Sequence, residues 1–193
     1  RDNVKNMSSY SSARDEYKNG CDENLIYLDA NESPFDNGIN RYPDNKHNDL
    51  KTVVSKIKNV NVNQVVFGNG TDEILDLIVR VFCNPNQDQI ITLPPTYGMY
   101  DVIAKTNSIE NIEIPLKSDF SIDTGKILGL KPSNTKILFL CSPNNPTGNS
   151  FDINILSDLI KDFKGIVVID EAYIDFSSQK SLINLIGKYE NLI

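Results

Sequence analysis

From residue 65 onward, apolar residues follow two alternating rhythms. Short, nearly unbroken runs read as strands buried on both faces: Ile90-Ile91-Thr92-Leu93, Ile109 to Leu116, Ile137-Leu138-Phe139-Leu140-Cys141 and Ile166-Val167-Val168-Ile169. Between them the apolar positions recur at helical spacing. One set is Ile74, Leu75, Leu77, Ile78, Val81 and Phe82, stopped by Asn84-Pro85; the others lie in Tyr97 to Lys105 and Ile153 to Phe163. Leu182 to Gly187 reads as mostly helical, and Asn191-Leu192-Ile193 as the opening of one more strand. Upstream, Asn48 to Lys58 carries Leu50, Val53, Val54 and Ile57 on one helical face, and Leu25 to Ala30 reads as a short strand. Residues 1–24 are polar and irregular, an arm that needs a surface to dock on. Strand and helix in alternation predict an α/β fold, a mostly parallel sheet flanked by helices on both faces.

In such sheets ligands sit beyond the carboxyl ends of the strands, so the residues closing each apolar run carry the chemistry. Val65-Val66-Phe67 ends in Gly68-Asn69-Gly70-Thr71-Asp72-Glu73, a glycine-rich turn opening a helix. Open N–H groups there suit a phosphate. Taken alone, the segment reads better as a plain tight turn with an N-cap, Asp72 and Glu73 complementing the helix dipole, and those acids would repel a phosphate unless their side chains turn away. Tyr97, just past the next run, can stack on a flat ring or serve as a core tyrosine with a satisfied hydroxyl. Ser142-Pro143-Asn144-Asn145-Pro146-Thr147-Gly148 demands a specific backbone path, with Asn145–Pro146 and Pro94–Pro95 expected to be cis, and its Asn amides can donate to a ligand oxygen. As a bare turn it is also unexceptional. Asp170 closes the run Gly165 to Ile169; a carboxylate there needs a cation, a metal or a protonated base, unless it merely caps a helix. One ligand with a phosphate, a flat ring, a phenolic oxygen and a basic ring nitrogen would use all four places. Pyridoxal phosphate (PLP) is such a ligand.

Composition narrows the partners. A net charge of −7 without a long Lys/Arg block argues against nucleic acid and anionic membrane. No apolar run approaches the roughly 20 residues of a membrane span, and the first residues have no apolar core for a signal peptide. Cys21, Cys83 and Cys141 are widely spaced and odd in number, which fits core filler in a reduced, cytoplasmic protein better than a disulfide framework. The single His47 has no partners near it in sequence for a metal site. The chain starts at Arg1 rather than Met, so further N-terminal sequence is expected.

With these segments in view, the chain resembles the fold-type I PLP aminotransferases, and within them the histidinol-phosphate branch. The resemblance rests on Tyr10-Ser11-Ser12-Ala13-Arg14, Leu28-Asp29-Ala30-Asn31-Glu32-Ser33-Pro34, Arg41-Tyr42-Pro43-Asp44 and the strand ends above, together with Pro95-Thr96-Tyr97-Gly98-Met99-Tyr100 and Asp170-Glu171-Ala172-Tyr173-Ile174-Asp175-Phe176. It implies that Asp170 holds the pyridinium nitrogen, Asn145 and Tyr173 the phenolic oxygen, Tyr97 the ring face, and the amides of Gly70, Thr71 and Asp72 the phosphate. It further implies that Tyr42 reaches the neighbouring subunit's phosphate in a homodimer and that Tyr10 helps close the substrate site. Residues 1–35 would be an arm belonging to a small domain, and 36–193 most of the large PLP-binding domain. The implied reaction is amino transfer between L-histidinol phosphate and 2-oxoglutarate in histidine biosynthesis. A threonine-phosphate decarboxylase, an aromatic aminotransferase or a non-catalytic PLP-fold fragment shares most of these marks; a plain nucleotide-binding domain is disfavoured, since no GxGxxG or GxxxxGK[ST] follows a strand. No catalytic residue is expected in this segment. The lysine that attaches the cofactor is expected beyond Ile193, so these 193 residues alone would be inactive.

Overall fold

The structure, a computed structural model, describes residues 1–11, 26–130 and 134–193. Along the described chain come α1 (Asp2–Lys5), α2 (Asn48–Lys58), α3 (Gly70–Phe82), β1 (Gln89–Thr92), α4 (Met99–Thr106), β2 (Glu110–Glu113), α5 (Thr124–Gly129), β3 (Thr135–Cys141), α6 (Ile153–Asp162) and β4 (Ile166–Asp170). The four strands form one parallel sheet in the order β2-β1-β3-β4.

Strand alternation divides the core in two. Ile90, Ile137, Phe139, Cys141 and Val168 face α3 and α4, packing on Leu75, Ile78, Val79, Tyr100, Ile103 and Ala104. Ile91, Leu138, Leu140 and Val167 face the other way, onto Ile127 of α5 and Leu156, Leu159 and Ile160 of α6. Both faces are therefore covered, which is why the inner strand β3 and its neighbour β4 are apolar at consecutive positions, whereas the edge strand β2 (Glu-Asn-Ile-Glu) is not. The helices stop and start where local chemistry dictates. Asp152 accepts from the N–H groups of Asn154 and Ile155 to open α6, and α3 runs out at Cys83, ahead of Asn84-Pro85.

Asn191 to Ile193 lie alongside β4, as the apolar run suggested. Val167 N donates to Asn191 O at 2.8 Å, Ile193 N to Val167 O at 3.0 Å and Ile169 N to Ile193 O at 2.8 Å, a parallel pairing. Other expectations shift. Leu25 lies outside the described residues, and Ile26 to Ala30 form no strand, because no described strand runs beside them to complete a ladder. The helix expected from Tyr97 begins only at Met99, and Leu182–Leu185 is a short 3-10 helix that ends ahead of Gly187, whose φ is +88°. The periodic face of α2 is present but bare: Leu50, Val53 and Ile57 are exposed. Cys83 and Cys141 are buried, and burial pushes the Cys83 thiol up to about 12; Cys21 lies outside the described residues. Among the described residues no helix is long and apolar enough to cross a membrane.

The start of β4 sets where its far end lies. At Gly165 an added Cβ would stand 2.5 Å from the Lys136 carbonyl oxygen and 2.8 Å from the Phe163 ring, the first of them backbone that cannot swing aside. Gly165→Ala should cost about 1–3 kcal/mol of stability, read as a lower denaturant midpoint at unchanged slope. A midpoint equal to that of the parent would mean that β3 and β4 separate more easily than this packing allows.

Candidate functional site

The carboxyl ends of β1, β3 and β4 and the N-terminus of α3 meet on one edge of the sheet. Asp170 pairs with Cys141 in the register of β3 and β4 and is 8% exposed. Its Oδ2 accepts from the Tyr100 hydroxyl at 2.8 Å and its Oδ1 from the Ala172 N–H at 3.0 Å. The second bond closes a local turn and not the helix cap that one reading of the sequence allowed, since the next element, a 3-10 turn over Ile174–Phe176, has Tyr173 at its N-cap. It does not account for the charge, since none of the ion pairs among the described residues includes Asp170. A buried carboxylate with two neutral donors and no cation carries an uncompensated desolvation cost.

At the α3 terminus, Gly70 adopts a φ of +79°, and an added Cβ there would meet nothing within 4 Å. Asn69 caps without a side-chain hydrogen bond, so the first-turn N–H groups of Thr71 and Asp72 lack intrahelical partners. The Gly70 N–H differs: it donates to the Gly68 carbonyl at 3.1 Å. The acids that would repel an anion are engaged elsewhere. Asp72 Oδ1 accepts from the Tyr97 hydroxyl at 3.0 Å, while Glu73 Oε2 accepts from Asn69, from its backbone N–H and from its side-chain amide. Hydrogen bonding to Asp72 holds the Tyr97 hydroxyl above the usual tyrosine range, with smaller contributions from burial and from the charges of Asp72, Tyr173 and Asp170.

The loop after β3 contains cis Ser142–Pro143 and cis Asn145–Pro146, and Pro94–Pro95 after β1 is also cis. Two of the three match the expectation from sequence. The adjacent asparagines divide their work. Asn144 is buried and saturated, accepting from Thr96 Oγ1 at 2.8 Å and donating to Pro95 O at 2.9 Å and Thr147 Oγ1 at 2.6 Å. Asn145 has no side-chain hydrogen bond among the described residues. It lines a cleft of about 600 Å³ with Tyr173, Pro143, Pro146 and Phe176. The Tyr173 hydroxyl is likewise without a partner among the described residues, and the residue is 45% exposed.

Seven of the sequence candidates thus stand at converging strand and helix ends: Gly70, Thr71, Asp72, Tyr97, Asp170, and Asn145 and Tyr173 lining one cleft. Tyr42 and Tyr10 do not join them. Both are exposed, and neither side chain hydrogen-bonds to these residues. Sequence reasoning passed over Asn144 and Tyr100. The first was hidden by the doublet, which does not say which amide turns inward. The second had a signal, since Tyr97 and Tyr100 are spaced i, i+3, and their rings meet edge to face at 5.7 Å.

The aminotransferase class I and II family model matches residues 27–193. The chain belongs to that family. It is also 55% identical over all 193 residues to the histidinol-phosphate aminotransferase of Flavobacterium psychrophilum, 56% of whose length it covers; the chain spans about half the length of the curated relatives it matches. Its fold is similar to that of the histidinol-phosphate aminotransferase from Clostridium acetobutylicum, with a TM-score of 0.69 and 25% identity over 79% of this chain and 45% of that one. Cystalysin from Treponema denticola, whose crystal structure contains a pyridoxal 5'-phosphate cofactor, matches with a TM-score of 0.58 and 25% identity over 70% of this chain and 36% of that one.

As a test of fit, the aminotransferase site offers a lone buried carboxylate for a ring cation, open amides for a phosphate, and an unengaged amide and phenol for a ring oxygen. The residues present fit pyridoxal phosphate.

Proposed function

We propose that this chain supplies the cofactor-binding part of a PLP-dependent aminotransferase that moves an amino group between L-histidinol phosphate and 2-oxoglutarate. One observation carries the reading: Asp170, a buried carboxylate with no cation beside it among the described residues, sits at a sheet edge that also presents open helix-terminal amides. The 55% identity to a histidinol-phosphate aminotransferase over the whole chain supports the choice of substrate.

In this reading Asp170 holds a proton on the ring nitrogen, and Asn145 and Tyr173 donate to the phenolic oxygen. Tyr97 covers the ring face while its hydroxyl keeps the Asp72 carboxylate occupied. Thr71 and Asp72 offer amides to the phosphate, with Gly70 providing the turn and the open space beside it. Bound there, pyridoxal phosphate supplies an electron sink for the carbanion formed at the substrate Cα. Residues 1–35 form an arm toward a small domain, and 36–193 the bulk of the large domain. The enzyme acts on small molecules in the cytoplasm as a homodimer, in which exposed Tyr42 reaches toward the neighbouring protomer's phosphate site and exposed Tyr10 toward the substrate. The lysine that attaches the cofactor comes from beyond Ile193.

The test is substrate turnover. The full-length protein, loaded with pyridoxal phosphate, should convert 2-oxoglutarate to glutamate when given L-histidinol phosphate, and do so with a higher kcat/KM than with aromatic amino acids. Release of carbon dioxide from O-phosphothreonine, with no glutamate formed from histidinol phosphate, would replace this reading with a decarboxylase.

A further inference from the structure

The least expected group at the site is the Tyr100 hydroxyl. Tyr100 is 1% exposed, lies in the first turn of α4, and stacks on Phe139 of β3 with ring centroids 4.9 Å apart and planes at 6°. Nothing about packing requires a phenol here; a phenylalanine would fill the same space. The hydroxyl has one carboxylate partner, Asp170 Oδ2 at 2.8 Å. Burial, and then the Asp170 charge, push the Tyr100 hydroxyl far above the usual tyrosine range, so it keeps its proton and acts as the donor. Cys141 beside it is also buried, and burial raises its thiol too.

We propose that Tyr100 is a positioning residue that keeps Asp170 ionised and fixes its rotamer, so that the shared proton stays on the ring nitrogen of the cofactor rather than on the carboxylate. The inference rests on the cofactor reading above. A proton between a buried carboxylate and a pyridine nitrogen has two resting places. In a site of low polarity the neutral pair, carboxylic acid beside free pyridine, competes strongly with the ion pair. Each hydrogen bond donated to the carboxylate makes it a weaker base and tips the balance toward the ion pair. Asp170 receives two such bonds, one from backbone and one from Tyr100. Each carboxylate oxygen has a second lone pair, so neither bond uses up the acceptor that a ring N–H needs. Removing the Tyr100 hydroxyl deletes the one donor that a side chain supplies among the described residues.

The experiment uses the full-length protein loaded with pyridoxal phosphate carrying 15N at the ring nitrogen, whose resonance reports directly whether that nitrogen is protonated. Tyr100→Phe should move the resonance toward the unprotonated position and weaken cofactor binding by about tenfold. Ile103→Val, a packing change on the same helix and in the same core cluster, should leave the resonance in place. A resonance unmoved in Tyr100→Phe but moved in Asp170→Asn overturns the role of Tyr100 and leaves that of Asp170 standing. A resonance unmoved in both removes Asp170 from the ring nitrogen, and the cofactor reading fails instead. An equal movement in Ile103→Val reduces Tyr100 to packing. Should Tyr100→Phe not accumulate as folded protein, 3,5-difluorotyrosine incorporated at position 100 keeps the ring and makes the hydroxyl a stronger donor. The resonance then moves further toward the protonated position, and movement the other way overturns the proposal.

Discussion

Asp170→Asn in the full-length protein is expected to lower kcat for amino transfer by on the order of 10²–10³-fold, the usual loss when a preorganised charge partner is removed. The substitution keeps the shape of the side chain and removes its charge. Asp170 sits at the end of β4, 8% exposed, where β3 and Ser142 fix its backbone: Ser142 N donates to the Asp170 carbonyl at 2.9 Å. The carboxamide cannot reproduce the hydrogen bonding either. It has one acceptor oxygen where the carboxylate has two, so either the Tyr100 hydroxyl or the Ala172 N–H loses the acceptor on its own side. The cofactor should still bind, since phosphate, ring-face and phenolic-oxygen contacts come from other elements. Steady-state turnover together with a cofactor titration checks both halves. An Asp170→Asn protein with near-parental kcat would take the carboxylate out of the reaction altogether.

The strands that carry these residues were legible because a sheet covered on both faces leaves few polar positions inside it, Thr92 among them. Ile137 through Cys141 need no alternation to be recognised, and the strand end at Asp170 stands out because the charge follows an uninterrupted apolar run. The same logic missed α5. Of its six residues only Ile127 is buried, too few apolar contacts to leave a period, and its start is set by the Asp123 side chain accepting from Lys126 N at 3.1 Å. It also read too much into Leu25 to Ala30, whose composition suits a strand but which has no described neighbour to pair with. At the site, sequence identifies residue types at strand ends but not how they share work. That Asn144 turns inward and Asn145 outward depends on Thr96 and Pro95 from the loop after β1, 48 and 49 residues away in the chain. That Asp72 does not oppose a phosphate depends on Tyr97, 25 residues on. These are tertiary facts, and no local pattern encodes them.

The largest loss of stability is expected from Phe139→Ala, about 3–5 kcal/mol. Phe139 is 2% exposed in the centre of β3, flanked in the ladder by β4 through Val168 and facing α3 and α4. Its ring has the Tyr100 ring lying flat against it at 4.9 Å. Truncation loses the buried apolar surface and leaves a cavity that the surroundings close only in part. Collapse is opposed from both sides. The sheet backbone is pinned by β1 and β4, and Tyr100 cannot drop into the space without giving up its bond to Asp170. A fall of that size in the unfolding free energy, measured by denaturant titration of the full-length protein at 25 °C, is the expected result. The variant should also bind cofactor more weakly, because the ring that orients Tyr100 is gone, and with it the rigid support of the hydroxyl that donates to Asp170. A loss below about 1 kcal/mol would mean that the cluster repacks freely, and then the position of the Tyr100 hydroxyl could not depend on the stack beneath it.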